Sequence, residues 1–314
     1  GKSNTHTKIS CERTACTAIK SHKCESNQCT LNKHYYEGSS WNARASEDLL
    51  WTTDPNTLGT LDKVAADKHA IPFVFGCQND ATGLFRTQVA NGIMGFADTP
   101  NNLVRQLVKH SHMQHNLFSM CYTGLWPRQH KDVAGVLVLG GTDTRLHKTP
   151  MQYAKRALDH HMMKTHRGIY MVEVVDIKVG GVSIGALPKA AQAAIVDSGT
   201  QGSYCPLSIS SQFARAFRKA LKPDVQQIVP DFNAAGVIFL TKQQRELLPE
   251  VEFVLKGADN QTTTLRMPSD HYMEPGTATQ KGCHSDTCAF KFTLQNSDPA
   301  SSPCTFGANL MQGV

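Results

Sequence analysis

Residues 195–200 read Ile-Val-Asp-Ser-Gly-Thr, which puts a carboxylate, two hydroxyls and a glycine side by side. The preceding apolar run (Ala193, Ala194, Ile195, Val196) reads as a buried strand that delivers Asp197 into a Ser-Gly-Thr turn. A carboxylate carried inward this way is costly unless its oxygens accept hydrogen bonds or it does chemistry. Ser198 and Thr200 can supply donors from the same loop, and Gly199 lets the backbone turn where a side chain would collide. The set suits an acid/base carboxylate. Such chemistry usually takes two carboxylates, and this run holds one. The competing reading is an ordinary surface turn, against which the apolar lead-in argues.

Other chemistries have weaker support. His110, His112 and His115 cluster at a helix end and His160, His161 and His166 in a charged stretch, but neither group has the His-Glu-x-x-His spacing of a zinc hydrolase. Gly180, Gly181 and Gly185 are not followed directly by a helix, so they do not form a phosphate loop. No cofactor and no resident metal are implied.

The elements that must position Asp197 are mostly strands. Ile71–Cys77, Val133–Leu139, Val237–Leu240, Val251–Leu255 and Phe290–Leu294 carry strand signals, and Tyr170–Val179 alternates before a Gly180-Gly181 hairpin turn. Helical spacing occurs at Asn101–His110, Ser208–Leu221 and Lys242–Leu248, the last behind Thr241 as N-cap and ahead of Pro249. A charged stretch of low periodicity, Ala154–Arg167, separates two β-rich halves. The expected division is residues 1–146 and 147–314, with the boundary near Leu146.

The 314 residues can build two lobes, each with its own core, and the 18% of charged residues is that of a globular chain. The net charge of +6 is scattered, and its densest cluster (Arg215, Arg218, Lys219, Lys222) falls on one predicted helix. That pattern reads as a solvated face rather than a nucleic-acid or membrane patch. No stretch approaches the ~20 apolar residues of a membrane span. The 14 His make the charge very sensitive to an acidic compartment. Ten Cys is a high, even number, and four of them (Cys11, Cys16, Cys24, Cys29) sit in one short polar segment. Disulfides there imply an oxidising lumen. A zinc site built on two C-x4-C pairs is the rival, although structural zinc more often uses C-x2-C. Asn260-Gln261-Thr262 is an N-glycosylation sequon in a polar stretch.

Taken in order, several segments resemble the pepsin-like aspartic proteases across nearly the whole chain. Ile-Val-Asp-Ser-Gly-Thr is similar to their second catalytic motif, and Tyr35-Tyr36-Glu37-Gly38-Ser39-Ser40 to their flap hairpin. Phe75-Gly76-Cys77, Asn91-Gly92-Ile93-Met94-Gly95-Phe96 and Phe118-Ser119-Met120-Cys121 follow the order of a first lobe. Val136–Asp143 resembles its closing strand, and Phe306-Gly307-Ala308-Asn309 an element of the second lobe. The Cys-rich segment before the flap resembles the cysteine-rich plant and protist branch more than pepsin itself.

The resemblance implies an all-β, bilobal pepsin-like fold with a few short helices, its first lobe lacking the N-terminal strands. It implies an endopeptidase in which two Asp share one proton and activate a water between them. Asp197 would be one member. Thr200 would donate to its carboxylate, and Ser198 would tie the two active-site loops together. Tyr35 and Gly38 would close over an extended peptide or protein substrate, with Tyr36 as a rival for the flap tyrosine and Gly199 beside the substrate. A Cys77–Cys121 bridge is expected, whereas the pairings of Cys205, Cys283, Cys288 and Cys304 stay open. A monomer of the secretory pathway is implied, vacuolar or lysosome-like or extracellular.

The departure from the family is the first motif. An Asp-Thr-Gly-Ser should precede the flap, yet Asp98-Thr99 and Asp143-Thr144 are not followed by Gly, and Asp286-Thr287 is followed by Cys288. The expectation is a sequence truncated at both ends and inactive as it stands, with a non-catalytic secreted binding or inhibitor protein as the alternative. Gln201 also departs, standing where a small hydroxyl residue is commoner.

Overall fold

The computed structural model describes residues 3–19, 22–35, 37–52, 70–122, 135–158, 168–226, 237–259, 261–275, 287–297 and 302–312. The chain divides into two compact units, residues 1–118 with 139–141, and residues 119–138 with 142–314.

The first unit is built on an antiparallel sheet. Its elements are β1 (Thr7–Lys8), helix α1 (Thr14–Thr17), β2 (His22–Glu25), β3 (Gln28–His34), β4 (Ser40–Trp51) and β5 (Ala70–Ala81). The long β4 pairs with β5 along one edge, and with β3 and then β1 along the other. β2 and β3 form a tight hairpin through Ser26 and Asn27, both at positive φ, the primed-turn conformation that matches strand twist. This hairpin lies in the Cys-rich segment, which is stapled by Cys11–Cys24 and Cys16–Cys29. Disulfides therefore replace the zinc reading. Cys16 and Cys29 are buried with Ile9 and Ala45, so the bridges supplement a very small apolar cluster.

Helix α2 (Leu103–Lys109) falls inside the expected 101–110, its start fixed by Asn102, whose side chain accepts from the Arg105 N–H at 2.7 Å. Leu103 and Leu107 pack on Ile71 of β5, with Phe73, Phe96 and Leu139 around them. β6 (Phe118–Tyr122) and β7 (Gly135–Leu139) form a two-stranded ribbon. The expected Cys77–Cys121 bridge is not formed, and both thiols are free. Cys77 stands on β5 in the first unit, and Cys121 on β6 falls in the second.

The second unit holds most of the core. Besides most of β6 and β7, it contains β8 (Met171–Val179), β9 (Val182–Ser183), β10 (Ala193–Val196) and β11 (Ser203–Pro206), followed by helix α3 (Ser210–Ala220). Next come β12 (Val237–Thr241), α4 (Lys242–Glu246), β13 (Val251–Lys256), β14 (Thr262–Met267), α5 (Ser269–Tyr272) and β15 (Met273–Pro275). The last are β16 (Thr287–Phe292), β17 (Leu294–Ser297) and β18 (Cys304–Phe306). The main sheet runs β14-β13-β8-β10-β18-β11-β17, and a second sheet runs β12-β16-β15.

Local chemistry explains these elements. The alternation of β8 ends at Gly180-Gly181, which reverses the chain into β9 as expected. Helix α3 buries Phe213, Ala216 and Phe217 at helical spacing and leaves Arg215, Arg218 and Lys219 exposed, the solvated face anticipated from charge. Helix α4 opens with a full capping box between Thr241 and Gln244. The expected Phe290–Leu294 strand breaks at Thr293. There the chain crosses between sheets, because the Thr293 carbonyl accepts from Ser203 N at 3.0 Å while its own N–H donates to Tyr272 O at 2.8 Å. In the core Phe253 meets Phe306 at 4.7 Å, and Tyr272 meets Phe292 edge-on at 5.4 Å. Truncating either buried Phe of the first pair to Ala should cost about 3–5 kcal/mol. Cys205–Cys304 ties β11 to β18, and Cys288 is also disulfide-bonded.

Cys283, Tyr36, Asn260, His160, His161 and His166 lie outside the described residues. No helix among those described is long and apolar enough to cross a membrane. The disulfides fit an oxidising compartment, that is, the secretory pathway or the extracellular space.

Candidate functional site

Asp197 sits where two strands end together. β10 and β18 run parallel in register (Ala194↔Cys304, Ile195↔Thr305, Val196↔Phe306), and β18 is flanked on its other side by antiparallel β11 through Tyr204↔Thr305. The turn 197–202 therefore leaves β10, passes around the end of β18 and returns as β11. Its first residue is tied directly, Asp197 N–H donating to the Phe306 carbonyl at 3.0 Å.

Gly307 permits that passage. A Cβ on it would lie 2.1 Å from the Gly202 carbonyl oxygen and 2.6 Å from that of Thr200. Only a residue without a side chain lets the two backbones approach this closely. Two further bonds clamp the turn, Ala308 N to Thr200 O at 2.7 Å and Asn309 N to Gln201 O at 3.1 Å. Behind it lies a buried polar set. Ser203 Oγ donates to Asn309 Oδ1 at 2.7 Å and accepts from Gly307 N at 3.1 Å, while Asn309 Nδ2 donates to Thr293 O and Oγ1 at 3.3 and 3.1 Å. Both Ser203 and Asn309 are fully buried, and each has its partners, as a stable interior requires.

The carboxylate itself is oriented by its own loop. Gly199 N–H donates to Asp197 Oδ1 at 2.9 Å, and Thr200 Oγ1 donates to Oδ2 at 2.7 Å. Each oxygen thus holds one donor and keeps acceptor capacity for a water or a substrate proton. A Cβ at Gly199 would stand 3.2 Å from Oδ1, tighter than ordinary contact. The expected burial of Asp197 is not found. Ala193 and Ala194 are buried, Ile195 and Val196 are half-buried, and Asp197, Ser198 and Gly199 are exposed. The apolar cover of β10 stops two residues short of the carboxylate, so hydrogen bonds rather than desolvation fix its surroundings. The Ser198 hydroxyl makes no hydrogen bond to another described residue.

The residues of the expected flap form the end of the β3–β4 hairpin. Tyr35 N–H donates to Ser39 O at 2.8 Å and Gly38 N–H to Tyr35 O at 3.1 Å, with Gly38 at φ +91°, a conformation that favours glycine. The Tyr35 ring is pinned by Phe85 at 5.0 Å, and its hydroxyl accepts from Trp41 Nε1 at 3.3 Å. Among the described residues no group of His, Cys, Asp and Glu is arranged to hold a metal ion.

Three positions near Asp197 receive no role from the sequence alone, although Asn309 lies in the Phe306-Gly307-Ala308-Asn309 element. Ser203 and Asn309 meet across 106 residues. Glu274 of β15 accepts from Gln201 Nε2 at 3.2 Å across 73 residues. Glu274 is nearly buried, and burial raises its pKa above the ordinary value, with Lys291 and the Gln201 hydrogen bond pulling the other way. The unusual residue type at Gln201 was the one available hint.

The strand arrangement around Gly307 can be set beside known structures. The crystal structure of basic 7S globulin from soybean matches with a TM-score of 0.65 at 17% identity, over 99% of this chain and 79% of that one. The crystal structure of edgp matches with a TM-score of 0.61 at 12% identity, over 99% and 79%. The fold is pepsin-like. Residues 1–141 of this pepsin-like chain also match the family model described as xylanase inhibitor N-terminal. No curated protein sequence matches the chain.

Proposed function

We propose that the protein is an aspartic-type endopeptidase in which Asp197 is one half of a proton-sharing pair. The observation that carries this reading is the carboxylate held between Gly199 N–H and Thr200 Oγ1 on a turn locked by Gly307. An adventitious surface Asp needs neither donors on both oxygens nor a backbone crossing that excludes every Cβ. In this role the ionised carboxylate takes a proton from water as the water attacks a peptide carbonyl, and a protonated partner stabilises the oxyanion. The reading therefore requires a second carboxylate opposite Asp197, and it predicts an Asp-Thr-Gly-Ser motif encoded ahead of Cys11. Tyr35 and Gly38 would cover an extended peptide, and no cofactor takes part.

A second reading is favoured by one observation, the match of residues 1–141 to a family described by xylanase inhibition. On this reading the protein binds a partner enzyme and does not cleave peptides. Incubating the complete protein with a peptide library at acid pH, with and without pepstatin, separates the two. Pepstatin-sensitive cleavage supports the endopeptidase. An absence of cleavage, with tight binding to a purified xylanase, supports the binder.

A further inference from the structure

The Asp197 turn has a second anchor that lies outside the strands carrying it. Gln201 directly follows Thr200, its backbone carbonyl accepts from Asn309 N–H at 3.1 Å, and its side chain donates to Glu274 Oε2 at 3.2 Å. Glu274 belongs to the β12-β16-β15 sheet, whereas the turn belongs to the main sheet. The contact is thus a side-chain bolt between two sheets, placed one residue beyond the hydroxyl that orients Asp197.

The bolt is incomplete when Glu274 is ionised. The residue is 9% exposed, and its other oxygen, Oε1, is buried without a hydrogen-bond partner among the described residues. An ionised carboxylate with an unpaired oxygen in such a place is costly. A proton on Oε1 removes that cost and makes the oxygen a donor, for which the carbonyl of the Gln201 amide is the matching acceptor. Acid and amide can then be joined by two hydrogen bonds in place of one. We infer that Glu274 is a positioning residue for the Asp197 turn, bolting it through Gln201 most firmly when its carboxyl carries a proton.

The surrounding charges agree with that direction. Lys291, directly across the β15–β16 ladder, is the one charged group acting on Glu274 among the described residues, and it favours the ionised form less than burial disfavours it. The folded-state pKa lies above the unfolded 4.5. The stability that the bolt contributes is therefore fully present below about pH 4.5 and is lost as pH rises through the folded value. His271, on the preceding α5, is shifted downward by burial and titrates in both proteins compared below, so it cancels in their difference.

The test needs no peptidase activity, so it can fail independently of the proposed function. The backbone amide of Asn309, which donates to Gln201 O, is followed by NMR across pH in the complete protein, in Glu274→Gln and in Gln201→Ala. Wild type is expected to show a step above about pH 4.5 that both variants lack. The melting temperature of wild type should also fall relative to Glu274→Gln between about pH 4.5 and 7. A step at Asn309 that persists in Glu274→Gln, or no step in wild type, overturns the inference. Equal melting profiles for the two proteins would overturn it as well.

Discussion

Gly307→Ala isolates the contact on which the candidate site is built. Gly307 is not at positive φ, so alanine brings no backbone strain and the whole effect is steric. The added methyl would be 2.1 Å from Gly202 O and 2.6 Å from Thr200 O, where ordinary contact begins at 3.4 Å. Both obstacles are backbone, which cannot swing aside as a long side chain would. β18 and the 197–202 turn must therefore part by on the order of 1 Å, which strains the Ala308–Thr200 and Asn309–Gln201 bonds. Cys205–Cys304 restrains β18 from giving way. Overpacking of this kind costs about 1–3 kcal/mol where relaxation is easy, so the expectation here is about 3 kcal/mol. The assay is urea unfolding followed by far-UV circular dichroism, with Gly92→Ala as control, because no atom lies within 4 Å of a Cβ there. The control should stay within about 0.5 kcal/mol of wild type. A Gly307→Ala protein equally close to wild type would refute the packing argument.

Other expectations follow from the same structure. Cys304→Ser opens a bridge spanning 99 residues and should lower stability by about 2–5 kcal/mol, measured by thermal melting against the oxidised wild type. Thr200→Ala removes the 2.7 Å donor to Asp197 Oδ2 and should lower peptide cleavage by about tenfold, whereas Thr200→Ser retains the hydroxyl and most of the rate. Asp143 is held down to about 2, chiefly by the hydrogen bond from the Arg145 side chain. A lowered carboxyl contributes stability above its unfolded value of 3.8 that fades as pH falls through about 2. In an NMR titration Arg145→Ala should move Asp143 up towards 3.8, and an unmoved midpoint would contradict the pairing.

Local rules made much of the second unit legible. Helix α3 announced itself by Phe213, Ala216 and Phe217, helix α4 by Thr241 ahead of it and Pro249 behind it, and β8 by its alternation ahead of two glycines. The β2–β3 hairpin was not legible, because His22–Glu25 offers no apolar alternation and its order comes from disulfides instead. The corner at Thr293 was hidden for a related reason. The Phe290–Leu294 pattern is continuous, and only partners at Ser203, Tyr272 and Asn309, distant in sequence, show where it breaks. At the site, the Thr200 donor to Asp197 could be read from the motif, but the second donor is the Gly199 backbone N–H and not the Ser198 hydroxyl that the residue types suggested. The exposure of Asp197 could not be read, since that depends on what covers β10. The Gln201–Glu274 contact, 73 residues apart, depends on a sheet crossing that no local spacing encodes.

The central claim is that Asp197 supplies one of two carboxylates that activate a water. It is tested most directly by peptide cleavage at acid pH, comparing the complete protein with its Asp197→Asn variant. The substitution keeps the size of the side chain and an acceptor for Thr200, so circular dichroism should be unchanged. Pepstatin-sensitive cleavage in wild type with a loss of about a thousandfold or more in the variant is the predicted result. Cleavage by Asp197→Asn within about tenfold of wild type would contradict the account.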